Sequence, residues 1–443
     1  MTWYRLIGCE GRAVILTAEK GEDYIWGKVP RRWQLNAVPR YRNHPRCLTT
    51  CQGRLDMSAP VTSVPLLDVG RGNSPLREEF LEAIGRVIDS GRFFFGPDVE
   101  ELEREIAAHS QAAHAIGCAS GSDALLLALM ALSIGPGDEV IVPSFTFFAS
   151  VSCITRLGAT PVFVDIRRDT FNLDADKLEA AIGPRTKAVI PVHLFGQCAE
   201  IDRICQIAGS RDIPVIEDAA QAIGAAYHSR PAGSWGVVGC FSFYPTKNLG
   251  GMGDGGMMTA GDAALADRLR LLAAHGMRPR YHHHLVGINS RLDSFQAAVL
   301  RVKMKHLGAG VEARQKNAAR YLQMFSDSGL VGREQITLPY RDPAAFHVWN
   351  QYSIRVNGGR RDELKAYLAD QGIGSEIYYP IPMHRQKCFT DFRIARGGLG
   401  ETEAAAAEVL NLPIYPELRI DEQTRVVEAI SHYFAAQAVR TAA

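Results

Sequence analysis

Five short apolar runs constrain this chain more than any other feature: Glu139–Pro143 (EVIVP), Thr160–Asp165 (TPVFVD), Thr186–Val192 (TKAVIPV), Ile213–Asp218 (IPVIED) and Val237–Tyr244 (VVGCFSFY). Each is strand-length, nearly all apolar and bounded by turn residues, so each suits a strand covered on both faces. Between and after them the spacing predicts helices at Ser122–Leu132, Lys177–Ile182, Glu200–Ala208 and Ala263–Ala274. Such alternation builds a doubly wound, mostly parallel α/β domain, here through about residue 300. Arg291–His306 and Glu312–Phe325 read as long helices leading to a second unit. There Asn350–Val356, Arg361–Gln371, Ser375–Tyr379 and Glu401–Leu410 suggest a smaller α+β domain. The expected division is a large domain over 57–310 and a small one over 311–443.

Charge narrows the partners. With 49 Lys+Arg against 48 Asp+Glu the net charge is +1, so there is no basic field to hold nucleic acid or an anionic membrane surface. No apolar run approaches the ~20 residues that span a bilayer. The N-terminus lacks both a signal pattern and the acid-poor character of a transit peptide, so a cytoplasmic location is expected. The nine cysteines include no CxxC pair, and free thiols are expected.

Residues 1–56 differ from the rest, holding three of the five tryptophans and ten Lys/Arg against five Asp/Glu. They show no sustained helical or strand period. Met57 opens an ordinary start (MSAPVTSVPLLDVG), so 1–56 are expected to lie upstream of the natural initiator.

In parallel α/β sheets ligands sit beyond the carboxyl ends of the strands, and the polar residues collect there. Asp218, with Gln221 three residues on, ends one run. Lys247 follows another in SFYPTKNLGG, an apolar, glycine-rich setting where desolvation would free its amine for Schiff-base chemistry. Gly117–Leu125 (GCASGSDAL) is a small-residue turn entering a helix that Ser122 or Asp123 is expected to cap, which makes a phosphate seat. Aromatic residues in PSFTFF, Phe147 among them, follow a third strand and suit stacking on a planar ring. An amine, a carboxylate, a phosphate seat and a stacking ring together match pyridoxal phosphate. Gly251, Gly253 and Gly256 satisfy G-x-G-x-x-G, but strand-like Met257–Ala260 follows instead of the helix that a dinucleotide fold requires. No Walker A sequence is present. His282, His283 and His284 are consecutive, cannot all face one ion, and predict no metal site. His193 reads as a packed or cofactor-adjacent histidine.

The ordered motifs ASGSDAL, GPGDEVIVPSFTFFAS, GATPVFVD, PVHLFGQ, VIEDAAQAIGA, GCFSFYPTKNLGGMGDGG, GINSRLDSFQAAVLRVK and YYPIPMH resemble, over about 64–435, the DegT/DnrJ/EryC1/StrS family of nucleotide-sugar aminotransferases. The resemblance implies the pyridoxal-phosphate-dependent fold type I. It makes Lys247 the Schiff-base lysine and Asp218 the partner of the ring nitrogen, with Gln221 at the ring hydroxyl. Gly121, Ser122 and Ser242 would hold the phosphate, with Asp123 at the same helix start, and Phe147 would stack on the ring. Asn289 would reach the phosphate of a second subunit, implying a homodimer with shared active sites. Arg291 and His384 would lie near the sugar nucleotide. The implied reaction moves an amino group from an amino acid, commonly glutamate, to a keto-sugar; the 280–293 stretch leans to a 3-keto rather than a 4-keto sugar. A dehydratase of this fold has His in place of the lysine, and a regulatory homologue would not need Lys247, Asp218 and Gln221 together. Cys198 departs from a commoner GQPA.

Overall fold

The structure is a computed structural model that describes residues 63–442 and, before them, the backbone of two antiparallel strands, Leu6–Cys9 and Arg12–Ile15. No strand period in the sequence marks that pair. The chain divides into two units, Met1–Ala59 and Pro60–Ala443. Whether 1–56 precede the natural start lies outside the described residues.

The second unit is built on strands β1 (His114–Cys118), β2 (Glu139–Pro143), β3 (Thr160–Val164), β4 (Thr186–Val189), β5 (Ile216–Asp218), β6 (Val238–Ser242) and β7 (Gly256–Ala260). β3, β2 and β4 are parallel, as are β5 and β6, while β7 runs antiparallel between β6 and β1. Parallel bridges Val189↔Val215 and Val192↔Asp218 join the two halves. Glu139–Pro143 is a strand over its whole expected length, while the other four runs hold their places but lose residues at their ends, where strand pairing stops.

The period-2 geometry of a strand sends alternate residues to opposite faces, and here both faces are covered. Ile141, Val162 and Val189 enter one apolar cluster, whereas Val140, Val142 and Phe163 enter another. Each such side chain contributes about 1.5–3 kcal/mol on burial. Helix α1 (Gly121–Ala131) covers the second face with eight buried residues out of eleven. It is apolar nearly all round, the signature of a helix enclosed on every side.

Further along, Ser294–Met304 and Leu307–Ser328 are helices, followed by strands Tyr352–Val356 and Val409–Leu412 paired antiparallel. A separate apolar cluster there includes Tyr321, Phe325, Tyr352, Leu364, Leu410 and Ile430. Glu401–Leu410 is two elements, helix Gly400–Glu408 running directly into the second of those strands. Among the described residues no helix is long and apolar enough to cross a membrane, no group of side chains suits a metal, and all six cysteines are free.

Candidate active site

The carboxyl ends of β1, β2, β5 and β6 meet at one edge of the sheet, and the amino end of antiparallel β7 joins them through the pairs Ser242↔Gly256 and Cys118↔Gly256. Every strand therefore delivers its adjoining loop to one place.

At β1 the chain turns into α1. The cap is Ser120, with φ −164° and ψ 163°, whose hydroxyl accepts from the Asp123 N–H. This corrects the expectation that Ser122 or Asp123 would serve. The N–H groups of Gly121 and Ser122 find no acceptor among the described residues, so they remain available to an anion at the positive end of the helix. A Cβ on Gly121 would lie 2.6 Å from the Cβ of Ser242, which is why this seat requires glycine. Ser242 thereby lies against the start of the helix. Asp123 turns away from that role: its carboxylate accepts from Ser290 Oγ at 2.8 Å, and that hydroxyl accepts from the Ala119 N–H at 3.1 Å.

At β5, Asp218 is 4% exposed. Its Oδ2 accepts from Ser150 Oγ at 2.7 Å and its Oδ1 from the Ala220 N–H at 3.1 Å. No cation pairs with it among the described residues, and burial raises its pKa. A buried carboxylate with donors but no cation suits a protonated ring nitrogen. After β6 the chain folds back on itself, with Lys247 N–H donating to Tyr244 O and Gly251 N–H to Phe243 O. Asn248 secures this loop, donating to Val348 O at 3.0 Å and accepting from Asn350 at 3.1 Å. Desolvation pulls the Lys247 amine down to about 8, against the opposing attraction of Asp218.

Gln221 is oriented at both ends: Oε1 accepts from the Phe195 N–H at 2.6 Å and Nε2 donates to the Tyr379 hydroxyl at 3.2 Å. Tyr379 carries no sequence signal for this role, being 158 residues away from its partner. Phe147 is 54% exposed with its ring 6.0 Å from that of Tyr379, a free aromatic face at the site. A cavity of about 410 Å3 on the Lys247 loop is lined by Leu76, Lys303, Arg314 and Tyr415, not by Asp218, Gln221, Ser242 or Phe147. It meets the constellation around Asp218 at Lys247, which lines it as well.

The remaining expected residues are placed differently. His384 has both ring nitrogens engaged, Nδ1 with Ser144 Oγ at 2.8 Å and Nε2 with Glu403 at 2.7 Å. Asn289 is exposed and accepts from Arg291 Nε at 3.1 Å; the Arg291 guanidinium lies 4.5 Å from the Phe94 ring centroid. His193 is packed: Nδ1 accepts from the Ala199 N–H, so Nε2 carries the proton and donates to Glu217 at 3.0 Å. Glu217, fully buried, also accepts from the N–H groups of Gly233, Trp235 and Gly236. Glu217→Ala would orphan four donors, each costing about 1–3 kcal/mol. Chemical denaturation should show a loss of at least about 3 kcal/mol, and a near-native midpoint would contradict this role.

A half-buried amine of lowered basicity, an unpaired buried carboxylate, an open helix N-terminus and a free aromatic face at one sheet edge define a pyridoxal-phosphate enzyme of fold type I. The chain belongs to the DegT/DnrJ/EryC1/StrS aminotransferase family, whose model matches residues 75–431. It is an aminotransferase. It is 46% identical over 369 residues to the UDP-N-acetyl-3-dehydro-alpha-D-glucosamine 3-aminotransferase of Acidithiobacillus ferrooxidans, covering 83% of this chain and 97% of that protein. It is likewise 46% identical, over 372 residues, to the pleiotropic regulatory protein of Geobacillus stearothermophilus, covering 84% and 99%. The crystal structure of S. venezuelae DesV matches with a TM-score of 0.79 at 44% identity, covering 85% of this chain and 99% of that one.

Proposed function

We propose that the chain transfers an amino group from an amino acid, glutamate being the expected donor, to a nucleotide-linked 3-keto sugar. The observation that carries this reading is the Lys247 amine, drawn down to about 8 by burial within the field of Asp218, a buried carboxylate that forms no ion pair among the described residues. Relatives named for 3-amino sugars, from Acidithiobacillus ferrooxidans and Streptomyces venezuelae, favour the 3-keto over the 4-keto substrate. Lys247, Asp218 and Gln221 together favour catalysis over a purely regulatory role.

In this reading Gly121, Ser122 and Ser242 hold the cofactor phosphate, Phe147 faces the ring, Gln221 meets its hydroxyl and Asp218 keeps its nitrogen protonated. Bound pyridoxal phosphate supplies the electron sink. Lys247 Nζ takes the proton from the donor Cα and returns it on the other side of the exchange. Residues 311–443 act as the smaller domain, bringing Tyr379 to the site.

The working unit is a homodimer, with Asn289 of one protomer serving the phosphate of the other. Support comes from the surface: Asn289 is exposed and bonded to Arg291, whose guanidinium lies over Phe94 and Phe95 in a run with Phe93, the three rings being 45%, 46% and 49% exposed in chain order from Phe93. An apolar patch of this kind marks a contact surface. Arg291 stacks on it.

Mass spectrometry after incubation with glutamate and UDP- or dTDP-linked 3-keto and 4-keto sugars tests the substrate. Amination of the 3-keto compounds is expected; amination of the 4-keto set alone would overturn the preference. A second measurement concerns the amine itself. Because its ordinary value is lowered, the neutral form grows as pH rises and is dominant above about 8. The rate at which apo protein captures pyridoxal phosphate should therefore climb about tenfold per pH unit below that point and level off above it. A rate still climbing beyond about pH 9.5 would contradict the lowered basicity.

A further inference from the structure

Asp218 does not meet the site alone. Behind it lie two hydroxyls, Thr146 and Ser150, which are 1% and 0% exposed. Ser150 Oγ lies 2.7 Å from Asp218 Oδ2, and Thr146 Oγ1 lies 2.8 Å from Ser150 Oγ. An ionised carboxylate only accepts, so the single Ser150 proton goes to Asp218. Ser150 then accepts, and Thr146 must be the donor to it. The order of the three groups is thus fixed as Thr146 to Ser150 to Asp218.

The spacing explains how one segment supplies both hydroxyls. Thr146 lies in the bend just beyond β2, and Ser150 stands in the first turn of helix Ala149–Arg156, so the tight turn between strand and helix brings the two hydroxyls within 2.8 Å. Two buried hydroxyls cost desolvation that Val and Ala would not. Their return is directional: Ser150 fixes one oxygen while the Ala220 N–H fixes the other.

We propose that Ser150, supported by Thr146, is a positioning residue that holds Asp218 ionised and oriented, so that the cofactor ring nitrogen stays protonated. The proposal rests on Asp218 meeting that nitrogen. Without Ser150 the buried carboxylate becomes the stronger base, competes for the shared proton and turns about its side-chain bonds. The ring nitrogen then loses cationic character, and electron withdrawal weakens with it.

The test uses full-length protein loaded with pyridoxal phosphate carrying nitrogen-15 in the ring. In the unaltered protein the ring nitrogen should resonate as a pyridinium. In Ser150→Ala it should move toward the neutral pyridine position, with kcat lowered about ten- to hundredfold and KM unchanged. Thr146→Val should move both in the same direction by less, and Thr146→Ser should restore them. A pyridinium shift unmoved in Ser150→Ala overturns the clamp. If Ser150→Ala fails to fold, Thr146→Val decides, since it leaves the Ser150–Asp218 bond in place; an unmoved shift there also overturns the clamp. Asp218→Asn separates the two readings. If it leaves the shift unmoved, the role of Asp218 itself falls; if it moves the shift while Ser150→Ala does not, only the clamp falls.

Discussion

Lys247→Ala should end turnover and remove the visible absorbance that the unaltered protein gains with pyridoxal phosphate. Two losses combine. The amine that bonds the cofactor is gone, and so is the base that handles the donor Cα proton, a contribution typically of about 10²–10⁴-fold. Folding should survive, because Lys247 makes no side-chain hydrogen bond or ion pair among the described residues and its loop is held by backbone bonds and by Asn248. Removing a desolvated amine also removes a burial cost. The checks are spectral titration with cofactor and single-turnover assay, with far-UV circular dichroism confirming the fold. A variant that keeps both the absorbance and turnover would refute the assignment.

Asp218→Asn should keep the shape of the site and lose its charge. An amide cannot stabilise a pyridinium by ion pairing, and breaking a buried pair typically costs about 3–5 kcal/mol, equivalent to about 10²–10⁴-fold in rate. The loss should appear in kcat, since the phosphate seat is untouched. The same change should raise the stability of the apo protein near neutral pH, because burial of the carboxylate, which forms no ion pair among the described residues, outweighs the attraction of Lys247. The sign comes from linkage: a carboxyl whose folded pKa is raised weakens the fold as pH rises past its unfolded value. Asp218→Asn with wild-type kcat would remove the carboxylate from the mechanism.

Much of the architecture was legible because both faces of the sheet are buried, which leaves continuous apolar runs instead of alternation. The runs at Glu139–Pro143 and Val237–Tyr244 directed attention to the loops beyond their carboxyl ends, and hence to Ser144–Phe148 and Lys247. Finer choices were not legible. Ser120, Ser122 and Asp123 are all good caps by composition; only the extended backbone at Ser120 distinguishes it. Glu401–Leu410 hid a junction because Ala404–Ala407 and Val409–Leu410 are both apolar, with no turn residue between them.

Long-range partners were invisible for a different reason. His384 is held by Ser144 from 240 residues away, and Gln221 by Tyr379 from 158. No periodicity encodes such pairs. Thr146 and Ser150, by contrast, are local, four residues apart in PSFTFFAS, but nothing in that sequence says that their hydroxyls meet.

Ser290 occupies an unusual place in this arrangement. It binds Asp123 in the first turn of α1 and the Ala119 N–H just ahead of it, and it is the immediate neighbour of Asn289. One hydroxyl thus pins the entrance to α1 and the backbone beside Asn289 to each other, so that Ser290→Ala would loosen both segments together.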